Sequence, residues 1–216
     1  MIEPHKARQI YFLPKIHKDP ITWPVPHQIP AGRPIVSDCG SETDHLSEYL
    51  DSFLNPLSSL HPSYIKDTYD FLAKARDLIV NPTDFLFSLD VDSLYTNIDA
   101  AQGLTAVQKT FRSHPNPDRN DNLVLALLEL ALKTNEFEFD NKTYLQIKGV
   151  AMGKKFAPAL ADLFMAEWEA SALAKCPLQP SAYYRYLDDI WGIWPHSLEE
   201  FSHFMSLLNN HYHLSP

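Results

Sequence analysis

The sequence predicts an α+β fold, with helices packed on one face of a mainly antiparallel sheet. Three observations carry this. From residue 85 onward the inferred order is strand, helices, hairpin, helix, hairpin, helix, which reads as layered α+β rather than alternating βαβ units. Two segments have β-prone arms around short polar turns: 137–139 and 144–147 around Asp140-Asn141, and 182–186 and 190–194 around Asp188-Asp189. No G-x-G-x-x-G loop and no Walker lysine loop is present, so Rossmann and P-loop readings find no support.

The elements follow in order. Residues 8–14, Arg-Gln-Ile-Tyr-Phe-Leu-Pro, form a strand by β-propensity, and 33–37 form a second. Between them Pro20, Pro24, Pro26 and Pro30 enforce an extended loop, so the pair is a hairpin around a long connection. Ser41 or Thr43 caps a helix running to about Leu54, with Leu46, Tyr49, Leu50 and Phe53 on one face. Residues 64–78 give a second helix, with Tyr69, Leu72, Ala75 and Ile79 as its apolar stripe. Residues 85–91 are almost continuously apolar, the pattern of a strand buried on both faces. Helices are expected at 100–112, 122–134, 154–173 and 197–208. The chain stops at His213 to Pro216 with no closing element.

Composition bounds the function classes. A chain of 216 residues is one large domain or two small ones. Hydrophobic residues at 45% and charged residues at 21% exclude disorder. Two cysteines, Cys39 and Cys176, exclude a disulfide framework and a cysteine-rich zinc centre. No run approaches the roughly 18 apolar residues of a membrane span, and residues 1–9 are polar and unlike a signal peptide. The net charge of −9 argues against a general nucleic-acid coat. Its distribution is uneven: residues 1–36 carry net +3, with Lys6, Arg8, Lys15, Lys18 and Arg33, whereas 37–100 carry −9. A basic start on an acidic body predicts a local anion site.

Three features carry chemistry. In Tyr186-Leu187-Asp188-Asp189 two adjacent carboxylates emerge between apolar arms, where their repulsion is costly unless a cation or water relieves it. An acidic hairpin turn is the plain alternative, since Asp favours turns. Asp90-Val91-Asp92 forms a second acidic strand exit, for which a cap or turn is the alternative. Side by side, the two strands gather carboxylates at one sheet edge. Such oxygen donors suit Mg²⁺ or Mn²⁺, and a pair of ions suits phosphoryl or nucleotidyl transfer. Residues 148–158 hold two of only six glycines, Gly149 and Gly153, directly before a helix. Glycine there permits close backbone approach to a ligand, and the helix start favours phosphate. A plain loop-to-helix junction is the alternative.

In combination these residues carry a resemblance. Residues 87–98, Phe-Ser-Leu-Asp-Val-Asp-Ser-Leu-Tyr-Thr-Asn-Ile, resemble motif A of reverse transcriptases. Gly149 to Pro158, continuing through Met165, resembles motif B, and Tyr186-Leu187-Asp188-Asp189 resembles motif C, in that family's order and spacing. Upstream, residues 10–18 and 32–37 look like the fingers motifs, and the Pro-Lys and Arg-Pro-Ile-Val pairing is similar to telomerase. The set, from about residue 8 to 216, looks most like the reverse transcriptases of Penelope-like retroelements.

The resemblance implies a right-hand polymerase fold without a thumb, with fingers at 1–83 and an incomplete palm at 84–216. It implies an RNA-directed DNA polymerase in which Asp90, Asp188 and Asp189 hold two Mg²⁺ ions, with Mn²⁺ as a substitute and the Val91 carbonyl assisting. Lys15 and Arg33 match the fingers positions that grip the triphosphate of an incoming dNTP. Tyr95 matches the steric gate against a ribose 2′-OH, with a core tyrosine as the alternative, and Met152 and Gly153 would pack near the nascent base pair. Asp92 matches a variable position. The implied partners are an RNA template, a DNA primer and dNTPs, with no membrane and a nuclear setting. The chain departs from its relatives in the long proline-rich loop between Lys15 and Arg33 and in Asp162, where asparagine is expected. Related sequences continue into a motif D region, a thumb and, in many Penelope-like elements, a GIY-YIG endonuclease. Competing readings are an RNA-templated RNA polymerase, a two-metal nuclease, and a decayed retroelement fragment that keeps the fold without catalysis.

Overall fold

The computed structural model describes residues 6–211. The expectations for the first five residues and for the chain end at 212–216 lie outside them. Strands β1 (Ile10–Pro14) and β2 (Gly32–Val36) pair antiparallel, Ile10 opposite Val36 and Pro14 opposite Gly32. Their loop holds a 3-10 turn at Pro20–Thr22, where the Asp19 carboxylate accepts from the Ile21 amide. Helix α1 (Asp44–Ser58) buries Leu50 and Leu54.

Helix α2 (Thr68–Ala75) is shorter than its apolar residues predict. Asp67 caps it, accepting from the amides of Tyr69 and Asp70, and the preceding residues are taken up elsewhere. The expected stripe is not a core face: Tyr69 and Ile79 are both 83% exposed. Phe71 turns inward, edge-on to Trp191, and of the expected stripe Ala75 is half-buried.

Strand β3 (Phe85–Asp90) leads to a single-turn helix, α3 (Leu94–Asn97), then to α4 (Ala100–Ser113) and α5 (Asp121–Lys133). The hairpin of β4 (Glu136–Phe139) and β5 (Lys142–Leu145) turns through Asp140 and Asn141, both at positive φ. These are residue types that a two-residue hairpin loop favours. Helix α6 (Ala157–Leu173) follows, then β6 (Ala182–Tyr186), β7 (Asp189–Trp194) and α7 (Leu198–His211).

The central sheet has the order β3-β7-β6, antiparallel throughout. Phe87, Ile190 and Trp194 pack against Ala172 of α6 and Phe204 and Leu208 of α7. A second cluster joins α1, α4, α5 and α6. Helix α6 serves both clusters, which is why it is apolar almost all round. Helices α6 and α7 cover one face of the antiparallel sheet, in keeping with the α+β pattern, while Phe71 of α2 meets Trp191 on the other. Strand β3 is not buried on both faces: Phe87 faces the helices while Leu86 is 58% exposed. It is an edge strand, and its continuous apolar run hides a one-sided pattern.

Hydrogen bonds cross residue 83 in both directions. The Arg185 amide donates to the Ser63 carbonyl (2.6 Å), the Ile65 amide to the Arg185 carbonyl (3.0 Å), and the Glu138 amide to the Arg8 carbonyl (2.7 Å). Among the described residues no helix is long and apolar enough to cross a membrane. Cys39 and Cys176 are free thiols.

Candidate active site

The sheet register brings the two acidic strand ends together. Asp90, the last residue of β3, lies opposite Asp189, the first of β7. The Val91 amide donates to the Asp188 carbonyl at 3.0 Å, so the exit of β3 is tied to the β6–β7 turn. Tyr186 pairs with Asp189, leaving Leu187 and Asp188 as a two-residue loop. Leu187 has φ of 54°. Such loops demand positive φ, and Gly, Asn or Asp usually supplies it.

The electrostatics are those of uncompensated negative charge. Among the described residues none of Asp90, Asp188 and Asp189 is in an ion pair. Partial burial raises the Asp189 pKa, and the charges of Asp188 and Asp90 raise it further. A divalent cation relieves this repulsion, and an all-oxygen donor set fits a hard ion. No group of three His, Cys, Asp or Glu side chains among the described residues closes on one point. The three carboxylates are therefore not gathered into a preformed three-ligand set. Asp92 is exposed and accepts from the Ser93 hydroxyl at 3.0 Å.

Tyr95, on α3, is half-buried. Its phenol is pushed up to about 12, first by burial and then by Asp188 and Asp162, with Arg33 opposing. The ring therefore lies in the field of both the β6–β7 turn and the β1–β2 hairpin. Its carbonyl accepts from the Val150 amide at 2.7 Å.

The two glycines make close approaches to backbone of this chain. At Gly149, φ is 78° and a Cβ would sit 2.7 Å from both Thr96 Cα and the Tyr95 carbonyl oxygen. At Gly153, φ is 140° and a Cβ would drive into the Val36 carbonyl. The Met152 carbonyl accepts from the Val36 amide at 2.9 Å. Met152 and Gly153 thus dock the end of β2 onto the loop before α6, while Gly149 docks that loop onto α3.

Lys15 and Arg33 share one face of the β1–β2 hairpin. Arg33 lies opposite Leu13, and the Lys15 amide donates to the Ala31 carbonyl at 2.8 Å, so the two alternate positions match. Arg33 acts electrostatically on the Tyr95 phenol; among the described residues no hydrogen bond or ion pair joins Arg33 or Lys15 to the carboxylates.

Two buried polar groups escaped the sequence reading. Arg8 donates to Asp38 at 2.8 Å, and the same carboxylate accepts from Ser41, Thr43 and Ser47, bracing the hairpin root against α1. Lys154 is buried beside it and is pulled down to about 8, chiefly by burial. The second group surrounds Arg185, whose charge inside the aromatic run Ala182-Tyr183-Tyr184-Arg185-Tyr186 was the available signal.

The sequence matches no protein-family model and no curated protein. Solved structures do match. Apo telomerase from Candida tropicalis truncated from its C-terminal domain is similar with a TM-score of 0.63 at 12% identity, over 92% of this chain and 46% of that one. Apo telomerase from Candida tropicalis gives 0.65 at 12%, over 95% and 42%. Telomerase from Candida albicans in complex with a TWJ fragment of telomeric RNA gives 0.62 at 10%, over 97% and 40%. The chain spans less than half the length of these structures. The likeness is one of fold: the chain has a telomerase-like reverse-transcriptase fold of the fingers-and-palm kind.

Proposed function

We propose that this chain is the fingers-and-palm portion of an RNA-directed DNA polymerase from a Penelope-like retroelement. It would extend a DNA primer on an RNA template with dNTPs, in a nuclear setting. The observation that carries the reading is the meeting of Asp90, Asp188 and Asp189 at one sheet end, with the charge of Asp188 acting on Tyr95, on a telomerase-like fold.

Asp90, Asp188 and Asp189 would hold two Mg²⁺ ions, with Mn²⁺ as a substitute, and the Val91 carbonyl would assist. When bound, the ions activate the primer 3′-OH and neutralise charge on the triphosphate. The chain's own residues do the positioning. Arg33, and Lys15 on the same hairpin face, draw the triphosphate by charge. The Tyr95 ring fills the space a ribose 2′-OH would need, selecting dNTP by exclusion. Met152 and Gly153 set the floor under the new base pair by fixing the loop before α6. The telomerase from Candida albicans was solved with a telomeric RNA fragment, which supports an RNA partner for this fold.

The test is primer extension on an RNA template with dNTPs, in Mg²⁺ and in Mn²⁺, with Asp188→Asn in parallel. Metal-dependent extension that Asp188→Asn loses while keeping its fold is the expected result. Equal extension by that variant removes the assigned site. A folded wild type that neither binds Mn²⁺ nor extends is the decayed fragment instead.

A further inference from the structure

Beneath the turn that carries Asp188 and Asp189 lies a fully connected polar network. Arg185 is 0% exposed. Its Nε donates to Glu169 Oε1 at 2.7 Å and its Nη1 to Asp162 Oδ1 at 2.5 Å. Nη1 also donates to the Leu187 carbonyl at 2.9 Å. Nη2 donates to the Asp162 carbonyl at 3.2 Å and meets His61 Nε2 at 3.3 Å. All five guanidinium protons are therefore engaged.

The anchors are themselves fixed. Asp162 and Glu169 stand seven residues apart on α6, two turns along one face. The Ser63 hydroxyl donates to Glu169 Oε2 at 2.6 Å, so it accepts from His61 Nδ1 at 2.9 Å. That order leaves His61 Nε2 as the acceptor for Arg185. The Arg185 main chain is held as well, by Ser63 and Ile65.

Two buried carboxylates around one guanidinium are a poor device for stability alone, because desolvation offsets most of the attraction. What the network does contact is the one non-glycine residue of the turn at positive φ, Leu187. A leucine in that conformation is strained and persists only where its surroundings hold it. Arg185 is the side chain that bonds the carbonyl of Leu187, the residue directly before Asp188 and Asp189. The Asp162 position, where relatives are expected to carry asparagine, has its explanation here as a charged anchor.

We propose that Arg185 is a positioning residue for the metal-binding turn, acting through the Leu187 carbonyl and anchored by Asp162 and Glu169. It touches neither metal nor substrate. It sets where Asp188 and Asp189 stand relative to Asp90. This rests on the metal-binding reading above.

The test uses Mn²⁺ alone as probe, followed by electron paramagnetic resonance, beside thermal melting. Wild-type binding that Asp188→Asn abolishes is measured first; its absence overturns the metal reading and this inference together. Arg185→Lys keeps the buried charge but loses the fork that reaches Glu169 and Leu187 at once. It should weaken Mn²⁺ binding about tenfold, the lower end of outer-shell effects, while keeping a cooperative melting transition. Glu169→Gln keeps shape and acceptor but withdraws anchor charge; it should weaken binding by less, and it decides the matter if Arg185→Lys does not fold. Ser63→Ala removes the hydroxyl's two hydrogen bonds, to Glu169 and from His61, without touching the Leu187 contact. It should lower the melting temperature and leave Mn²⁺ affinity alone. Unchanged Mn²⁺ affinity in the folded Arg185→Lys variant (or in Glu169→Gln, where that must stand in) overturns the positioning role alone. So does an equal loss in Ser63→Ala.

Discussion

Tyr95 shows how much one side chain's role depends on where its neighbours bring their charges. The sequence offers an aromatic residue five positions after Asp90; the structure adds Asp188 and Arg33 acting on its phenol. Tyr95→Ala should raise ribonucleotide incorporation relative to deoxyribonucleotide by roughly tenfold, about 1.4 kcal/mol of steric exclusion. Competition extension assays read that ratio, and an unchanged ratio removes the gate. Asp38 is the opposite case, invisible as a site in the sequence. Burial raises its pKa, but hydrogen bonds from Ser47, Thr43, Ser41 and Arg8 outweigh this and bring it from 3.8 down to about 2. With the folded value below the unfolded one, its contribution is present above the unfolded pKa and is lost as pH falls through the folded one. The wild type should therefore lose about 2 kcal/mol between roughly pH 4 and pH 2. Asp38→Asn should lose a similar amount at pH 7 and be flatter across that window, as urea titrations at each pH would show.

Among the elements, the loop before α6 is the joint of the molecule. Its glycines are plain in the sequence, where close approach to a ligand is the natural expectation; the structure spends that freedom on the backbones of α3 and β2. Gly153→Ala should cost more than about 1 kcal/mol and break the Val36 amide's bond to Met152. Loss of hydrogen-exchange protection at Val36 would report it, and unchanged protection would contradict it. The β6–β7 and β4–β5 hairpins were legible because turn chemistry is local. The extent of α2 was not, because residues 63–65 bond to β6, a partner far along the chain whose pull no local pattern encodes.

For the molecule as a whole, an acidic chain gathers three carboxylates without ion-pair partners among the described residues at the sheet end where cation binding is proposed. Metal binding then becomes folding stability. Mg²⁺ at about tenfold over its dissociation constant should add roughly 1.4 kcal/mol, a rise of about 3–5 °C for a chain of this size. Asp188→Asn should melt higher than wild type without metal, since repulsion is relieved, and should not respond to Mg²⁺. Differential scanning calorimetry checks both, and a wild-type transition indifferent to Mg²⁺ would speak against the site.

The order of elements, the hairpin turns, and the acidic strand ends could be read from the sequence, because each is a short-range pattern of polarity and backbone preference. Tertiary structure alone decided three things. It paired Asp90 with Asp189 across almost a hundred residues. It turned the apolar face of α2 to solvent. It sank Arg185 onto two carboxylates of α6 beneath a strained leucine. Each depends on which distant surface a residue meets, and burial, charge pairing and strain arise only from that meeting.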